Sequence, residues 1–451
     1  MNKRVAVIGG GISGLCAAFR LKKAGVDVIL FESGAAVGGN IKTEIRDGFL
    51  IENGPNSTLA SREFLDLLAD LGIADKVATP KPNSKKRYIL KAGRLVALPS
   101  GPLDLLKGDV FSATAKLRLL KEPFVRTRSP KGESVAAFFV RRLGKEIVDY
   151  AVDPFISGIY AGDPQKLSMR SAFTRLFEME RDHGSLLMGA MRSKKDKAAK
   201  LPKGTPRSIT FKAGMQTLTD ALYEDLKANV RLDTSVDSIE RNGSEGYSIR
   251  TDSGEEIFDA VVVSTPAHAA ARLIEGLDLK LAGELAGVYY PPVSVVFTAF
   301  RQSQVKADTS GFGFLVPGGE QRKILGSLWT SAVFENRAPD GYHLFTTFIG
   351  GSRNADLCDN SEDELVKIAL DELRSILGVE GEPVFTAVKK WKKAIPQYNI
   401  GYETVPTAID SFKNNNPGIR LCGNYYKGIS VSDCVKNGGL TATEILDFLS
   451  S

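Results

Sequence analysis

The chain opens on an unbroken apolar run, Val5-Ala6-Val7-Ile8. Such a run, bounded by turn residues, fits a strand buried on both faces of a parallel sheet. Gly9, Gly10, Gly11, Ile12, Ser13 and Gly14 follow, and Gly9, Gly11 and Gly14 make the spacing G-x-G-x-x-G. The first glycine permits the tight turn, the second lets backbone approach a pyrophosphate, and the third lets a helix pack close to the strand. Positions 15–23 read as that helix, whose N-terminal N–H groups would face the phosphates. A second strand pattern covers 27–31 and runs into Glu32 and Ser33. Glu32 lies 18 residues after Gly14, where a carboxylate accepts hydrogen bonds from an adenosine ribose.

A second glycine pair, Gly38-Gly39, precedes Asn40 and points to FAD rather than a nicotinamide cofactor. Asn53-Gly54-Pro55-Asn56-Ser57 is a turn signal. It reads either as a plain hairpin or as backbone approaching a flavin ring. The far end of the chain supplies a matching piece. Ile419-Arg420-Leu421-Cys422 is a short strand, Gly423 to Ser432 a loop, and a helix follows to about Leu449. Ser430 or Ser432 is suited to cap it. Its N-terminus, near Ile429, Ser430 and Val431, would stabilise negative charge on a reduced flavin. Val261-Val262-Val263-Ser264 is a further buried strand, a helix opens near Phe211 to Leu218, and Val230-Arg231-Leu232 is a strand. The expected fold is α/β, with a Rossmann-like dinucleotide domain assembled from separated stretches of chain.

Composition narrows the chemistry. At 451 residues the chain should form two or three compact units. Lysine and arginine number 59 against 53 acidic residues, a net charge of +6. That mild bias is no nucleic-acid footprint, but it suits an acidic small molecule or an anionic membrane face. Four cysteines without a C-x-x-C pair, and only three histidines, argue against a metal site and fit a reducing, cytoplasmic compartment. No apolar run reaches 18 residues, so membrane contact is expected to be peripheral.

Gly158-Ile159-Tyr160-Ala161-Gly162-Asp163-Pro164 with Leu167-Ser168-Met169, Lys86-Arg87-Tyr88-Ile89, Thr346-Thr347-Phe348-Ile349-Gly350-Gly351-Ser352 and the segment from Gly423 to Cys434 carry a resemblance over essentially the whole chain. The sequence resembles the oxygen-dependent protoporphyrinogen oxidase family, within the amine-oxidase-like flavoproteins, and its organellar plant-type members in particular. The resemblance implies an FAD domain at 1–83, 204–271 and 386–451, and a substrate domain with an antiparallel sheet at 84–92 and 272–385. It also implies a helical, membrane-facing insertion at 93–203.

The implied activity is oxidation of protoporphyrinogen IX by FAD and O₂, six electrons in three flavin cycles, yielding hydrogen peroxide. Coproporphyrinogen III, with four propionates rather than two, is the near alternative; an amine oxidase or carotenoid desaturase is the distant one. By resemblance Arg87 anchors a propionate, Leu315, Leu328 and Phe348 line the tetrapyrrole pocket, and Asn56 sits near the reactive ring edge. Val236 and Trp391 contact FAD by the same likeness. Relatives often carry arginine, lysine or tryptophan where this chain has Asn40, and no cysteine is placed to bind flavin covalently. Apolar stretches at Pro102 to Leu106, Leu117 to Leu120 and Phe138 to Val140, with basic residues between them, read equally as an interface-lying face or as core-facing helices. The run Lys194 to Lys200 reads as a solvated loop. A homodimer, a bound membrane on the inner cell face and hand-off of product to a chelatase are left open.

Overall fold

The computed structural model describes residues 3–101, 104–105, 108–193, 208–243 and 246–451. The Lys194–Lys200 run lies outside them, as does most of the Pro102–Leu106 stretch.

A parallel five-stranded sheet runs in the order Val230–Arg231, Asp27–Phe31, Arg4–Ile8, Ala260–Val263, Ile419–Leu421. Past their first residues, Arg4 and Asp27, its inner strands are apolar because both faces are covered. Ala6, Ile8, Val261 and Val263 pack into one core, Val5, Val7, Ala260 and Val262 into the other. A strand buried on both sides cannot alternate, which is why the apolar runs were continuous. The register sets Ile8 beside Phe31 and Val263, and Val263 beside Leu421, so the loops after these strands open along one edge.

The first helix, Ile12–Lys23, starts three residues before the expected Leu15. Gly14 therefore lies inside its first turn, where an added Cβ would overlap the Gly9 carbonyl oxygen. The last helix, Val431–Ser450, packs across it. A Cβ on Gly438 would come within 2.5 Å of the Ser13 carbonyl oxygen and 2.9 Å of Cys16 Cβ. Glycine here allows the two chain ends to lie against each other.

The second layer is a seven-stranded sheet in the order Phe385–Trp391, Val293–Arg301, Tyr342–Gly350, Ile324–Leu328, Gly313–Leu315, Tyr88–Lys91, Arg94–Ala97. It is not wholly antiparallel as expected: Gly313–Leu315 and Tyr88–Lys91 run parallel, because the chain enters this sheet from far apart in sequence. Its two edge strands reach beyond the limits expected at 92 and 385, since their backbones complete its ladders. One face packs on the helix Glu362–Leu377. The other meets Phe49 and Ile51 of the hairpin Thr43–Arg46/Phe49–Glu52.

Past the strand Arg94–Ala97, the described residues up to 193 are mainly helical, including Ala113–Leu120, Val135–Leu143, Asp153–Tyr160, Thr174–His183 and Leu186–Ser193. Phe138 and Phe139 face the core, but Leu117, Leu120 and Phe124 are exposed at 52%, 63% and 80%. The amphipathic stretches therefore divide, Phe138 and Phe139 serving as core while Leu117 and Leu120 leave apolar surface exposed. Among the described residues no helix is long and apolar enough to cross a membrane.

Candidate active site

The site forms along the edge where the parallel strands end. Gly9 takes φ +105°, a conformation side chains rarely adopt. Gly10 N–H donates to Glu32 Oε2 at 2.7 Å, and Gly34 N–H to Glu32 Oε1 at 2.8 Å. Glu32 is thereby held against the glycine turn, with Ser33 exposed beside it. A Cβ placed on Gly11 would meet nothing within 4 Å, unlike one on Gly9, Gly10 or Gly14. Open space at the second glycine, between locked neighbours, is what an approaching pyrophosphate needs. Thr234 N–H donates to the Glu32 carbonyl at 2.9 Å, which brings Val236 to the same edge.

Gly38 N–H bonds the Gly10 carbonyl at 2.8 Å, so the second glycine pair lies against the first. Gly39 and Asn40 are exposed there. Gly54 packs on this turn: an added Cβ would overlap the Asn40 carbonyl oxygen. Trp391, from the edge of the seven-stranded sheet, donates Nε1–H to the Asn53 carbonyl at 2.7 Å. The turn Gly54-Pro55-Asn56-Ser57 is thus pinned from both layers. Asn56 Oδ1 is buried and has no hydrogen-bond partner among the described residues. A buried amide oxygen without a donor costs about 1–3 kcal/mol unless a bound group satisfies it.

The C-terminal piece closes the site. Ser430 caps Val431–Ser450: its Oγ accepts from Asp433 N–H at 3.1 Å, and Asp433 Oδ2 accepts from Ser430 Oγ–H at 2.6 Å. Ser432 N–H donates to Thr58 Oγ at 3.2 Å, seating this helix start beside the Asn56 turn. Gly423 takes φ +145°, with Ile429 at the end of its loop. Sequence did not single out Tyr398, whose hydroxyl donates to the Asn424 carbonyl at 2.7 Å and accepts from Gly428 N–H at 3.1 Å. Burial holds this phenol well above its usual range, so it stays a donor. The open second glycine and the capped helix start fit a flavin dinucleotide, and the orphaned Asn56 oxygen leaves an acceptor for a donor bound beside it.

The four expected substrate residues share one sheet face. Phe348 pairs with Gly326, Gly326 with Leu315, and Leu315 with Ile89. Leu328 is two residues past Gly326, and Arg87 two before Ile89, so both point the same way. Arg87 is exposed, its guanidinium 4.9 Å from the Phe312 ring centroid. Among the described residues it makes no ion pair. Lys389 joins this face unannounced: it pairs with Val295, which pairs with Phe348. Its ammonium lies 4.8 Å from the Trp391 ring centroid. The i, i+2 step to Trp391 within one strand was its only signal.

Glu52, beside this turn, is 1% exposed. It accepts from Thr43 Oγ–H at 2.7 Å and Met215 N–H at 2.8 Å, with Arg337 3.8 Å away. Burial outweighs these partners and pushes its carboxyl up to about 7. The folded chain thus keeps a proton that the unfolded chain releases near pH 4.5. The resulting stability is full below that pH and lost as pH rises through about 7. Glu52→Gln is expected to flatten this fall by about 3 kcal/mol, as set by ~1.4 kcal/mol per pKa unit. Urea unfolding at pH 5 and pH 8 checks it; parallel curves for both proteins would refute it.

Residues 12–446 match the family described as flavin containing amine oxidoreductase. Mitochondrial protoporphyrinogen oxidase of Nicotiana tabacum is 38% identical over 100% of this chain and 96% of its own. Coproporphyrinogen III oxidase of Bacillus subtilis (strain 168) is 28% identical, over 100% of this chain and 99% of its own. A solved structure from Exiguobacterium sp. 255-15 superposes with a TM-score of 0.83 at 26% identity, covering 100% of both chains.

Proposed function

Because the chain belongs to the flavin containing amine oxidoreductase family, among the protoporphyrinogen and coproporphyrinogen oxidases, we propose that it oxidises protoporphyrinogen IX to protoporphyrin IX. The observation that carries the reading is the shared sheet face of Arg87, Leu315, Leu328 and Phe348, joined to the Asn56 turn through Trp391. Noncovalently bound FAD supplies two-electron oxidation, so three rounds with O₂ account for six electrons and three molecules of hydrogen peroxide.

The chain's own residues do the rest. Gly9, Gly10, Gly11, Ile12, Ser13 and Gly14 with Glu32 and Ser33 hold the dinucleotide end. Val236, carried beside Glu32 by Thr234, would join the dinucleotide end, and Gly39, Asn40, Gly54 to Ser57, Trp391, Gly423, Ile429, Ser430 and Val431 would hold the ring end. Leu315, Leu328 and Phe348 hold an apolar disc and keep water out. Asn56 Oδ1 accepts from a pyrrole N–H and so orients the reacting edge. The positive end of Val431–Ser450 favours negative charge where electrons arrive. Arg87 grips a propionate with two parallel N–H donors.

Arg87→Ala is expected to raise KM about ten- to hundredfold, the loss of a charge-assisted hydrogen bond of ~1.5–3 kcal/mol. The limiting rate should change less. Steady-state kinetics decides it, and an unchanged KM removes Arg87 from the pocket. The reading as a whole is tested by anaerobic mixing with protoporphyrinogen IX. Bleached flavin, then porphyrin fluorescence and peroxide on admitting air, is the expected result; flavin that stays oxidised refutes it. Coproporphyrinogen III has one observation in its favour: Lys389 supplies a second cation on the same face, five strands from Arg87. Faster bleaching with that substrate would select it.

The helical insertion is proposed to rest on the inner face of the cell membrane. Support comes from exposed Leu117, Leu120, Phe124, Phe155, Ile159 and Met191, all within this part of the chain. The double change Leu120→Ser, Phe124→Ser is expected to cut co-sedimentation with anionic vesicles at least fivefold. Each side chain withdraws roughly 1.5–3 kcal/mol of burial. Equal binding by both proteins would end the proposal.

A further inference from the structure

The segment from Gly158 to Pro164 carried the family likeness, yet none of its side chains was assigned work. Its surroundings suggest what it does. The helix Asp153–Tyr160 lies directly against the strand that bears Leu315. A Cβ on Gly158 would come within 2.5 Å of Leu315 Cδ2, so the bare backbone of this helix forms one side of the Leu315 contact.

Arg353 ties the two elements together. Its Nη2 donates to Asp153 Oδ1 at 2.7 Å, Asp153 Oδ2 at 2.9 Å and Ser157 Oγ at 2.7 Å. Its Nη1 donates to the carbonyl of Val316, the residue after Leu315, at 3.0 Å. Asp153 Oδ2 also accepts from Gly318 N–H at 2.6 Å. The two side chains are only 21% and 17% exposed, so water competes little for these bonds. The other end of the helix is tied as well. Ser352 N–H donates to the Ala161 carbonyl at 2.7 Å, and Gln397 Nε2–H to the Tyr160 carbonyl at 2.7 Å. Both ties run to segments just past the strands that carry Phe348 and Trp391.

We propose that Arg353 and Asp153 are positioning residues that hold the helix Asp153–Tyr160 against Leu315, and so set how the Leu315 side chain is presented to a flat macrocycle on the substrate face. The inference rests on the porphyrinogen reading above. A planar guanidinium suits the task, because it spans a carboxylate, a hydroxyl and a carbonyl at once in fixed geometry. An ammonium could keep the carboxylate but not all three. Loss of the tie lets the helix drift from Leu315 without touching the flavin loops.

The test is anaerobic flavin reduction by protoporphyrinogen IX, following both the half-saturating concentration and the limiting rate. Arg353→Met is expected to raise half-saturation at least tenfold, change the limiting rate less than threefold, and keep its full flavin content. Asp153→Asn should move the same way by less, and Arg353→Lys should recover part of the loss. Half-saturation within twofold of the parent in Arg353→Met overturns the proposal. So does joint loss of flavin and of melting temperature in both Arg353→Met and Asp153→Asn, which would mark a purely structural tie. A parent protein whose flavin never bleaches overturns the proposed function itself, a result distinct from either.

Discussion

Gly54→Ala is expected to yield a chain that purifies without bound flavin and melts below its parent. Gly54 does not need glycine for its dihedral angles, since its φ is not positive. It needs glycine for space, because a methyl there would overlap the Asn40 carbonyl oxygen. That atom is backbone and cannot swing aside. The turn behind it is fixed, with Gly38 and Gly39 at φ +108° and +57°. The turn in front is fixed too, by Asn53 N–H on the Lys42 carbonyl at 2.9 Å and by Trp391 on the Asn53 carbonyl. One of the two turns must move, and both border the candidate site. Overpacking costs about 1–3 kcal/mol where side chains can adjust; here backbone must, so the upper end is expected. Flavin per chain and melting temperature measure the effect. Gly283→Ala is the control: it sits in the helix Leu279–Ala286 with nothing within 4 Å of its added Cβ. It should be neutral or stabilising by about 0.5–1 kcal/mol. If Gly54→Ala binds flavin as the parent does, the packing of the two turns has been misjudged.

Arg142→Met should cost about 3–5 kcal/mol, the penalty for stranding a buried countercharge. Arg142 is fully buried between two buried carboxylates. Its Nε donates to Glu180 Oε1 at 2.6 Å and its Nη1 to Glu122 Oε1 at 3.2 Å and to the Val125 carbonyl at 3.1 Å. Glu122 also accepts from Leu186 N–H at 2.8 Å and Ser185 Oγ–H at 2.5 Å. The guanidinium therefore joins the helices Val135–Leu143, Thr174–His183 and Leu186–Ser193. Without it Glu180 keeps Arg141 at 2.7 Å, but the fully buried Glu122 is left without its cation. Local unfolding of these helices, read as faster proteolysis there with flavin retained, is the expected signature. Adding Glu122→Gln to the variant should restore much of the loss. A melting point unchanged by Arg142→Met would show that the network carries no weight.

The glycine turn and the carboxylate held against it were legible because their rules are local. A tight turn at Gly9, close backbone approach at Gly11, helix packing at Gly14 and a carboxylate at Glu32 fall within one strand–helix–strand unit. The cap at Ser430 was equally local. Its rival Ser432 lies inside the helix instead, its N–H donated to Thr58. Arg87, Leu315, Leu328 and Phe348 were placed only by likeness. Nothing near them in sequence shows that four separate strands turn one side toward the same space.

Lys389, Arg353 and Asp153 went unseen for a related reason. Each is an ordinary polar residue until its neighbour arrives from far along the chain, as Asp153 does for Arg353. Gly54 shows the limit most clearly. The turn could be read from its residues, but the demand for glycine comes from Asn40, which only the folded chain sets against it. Sequence by itself determined the glycine turn and the buried parallel strands, because short-range sterics and hydrogen bonds specify them. Tertiary structure alone decided which strands meet, and therefore which cations, apolar side chains and ties share the candidate site, because register and packing are settled between segments that carry no local record of each other.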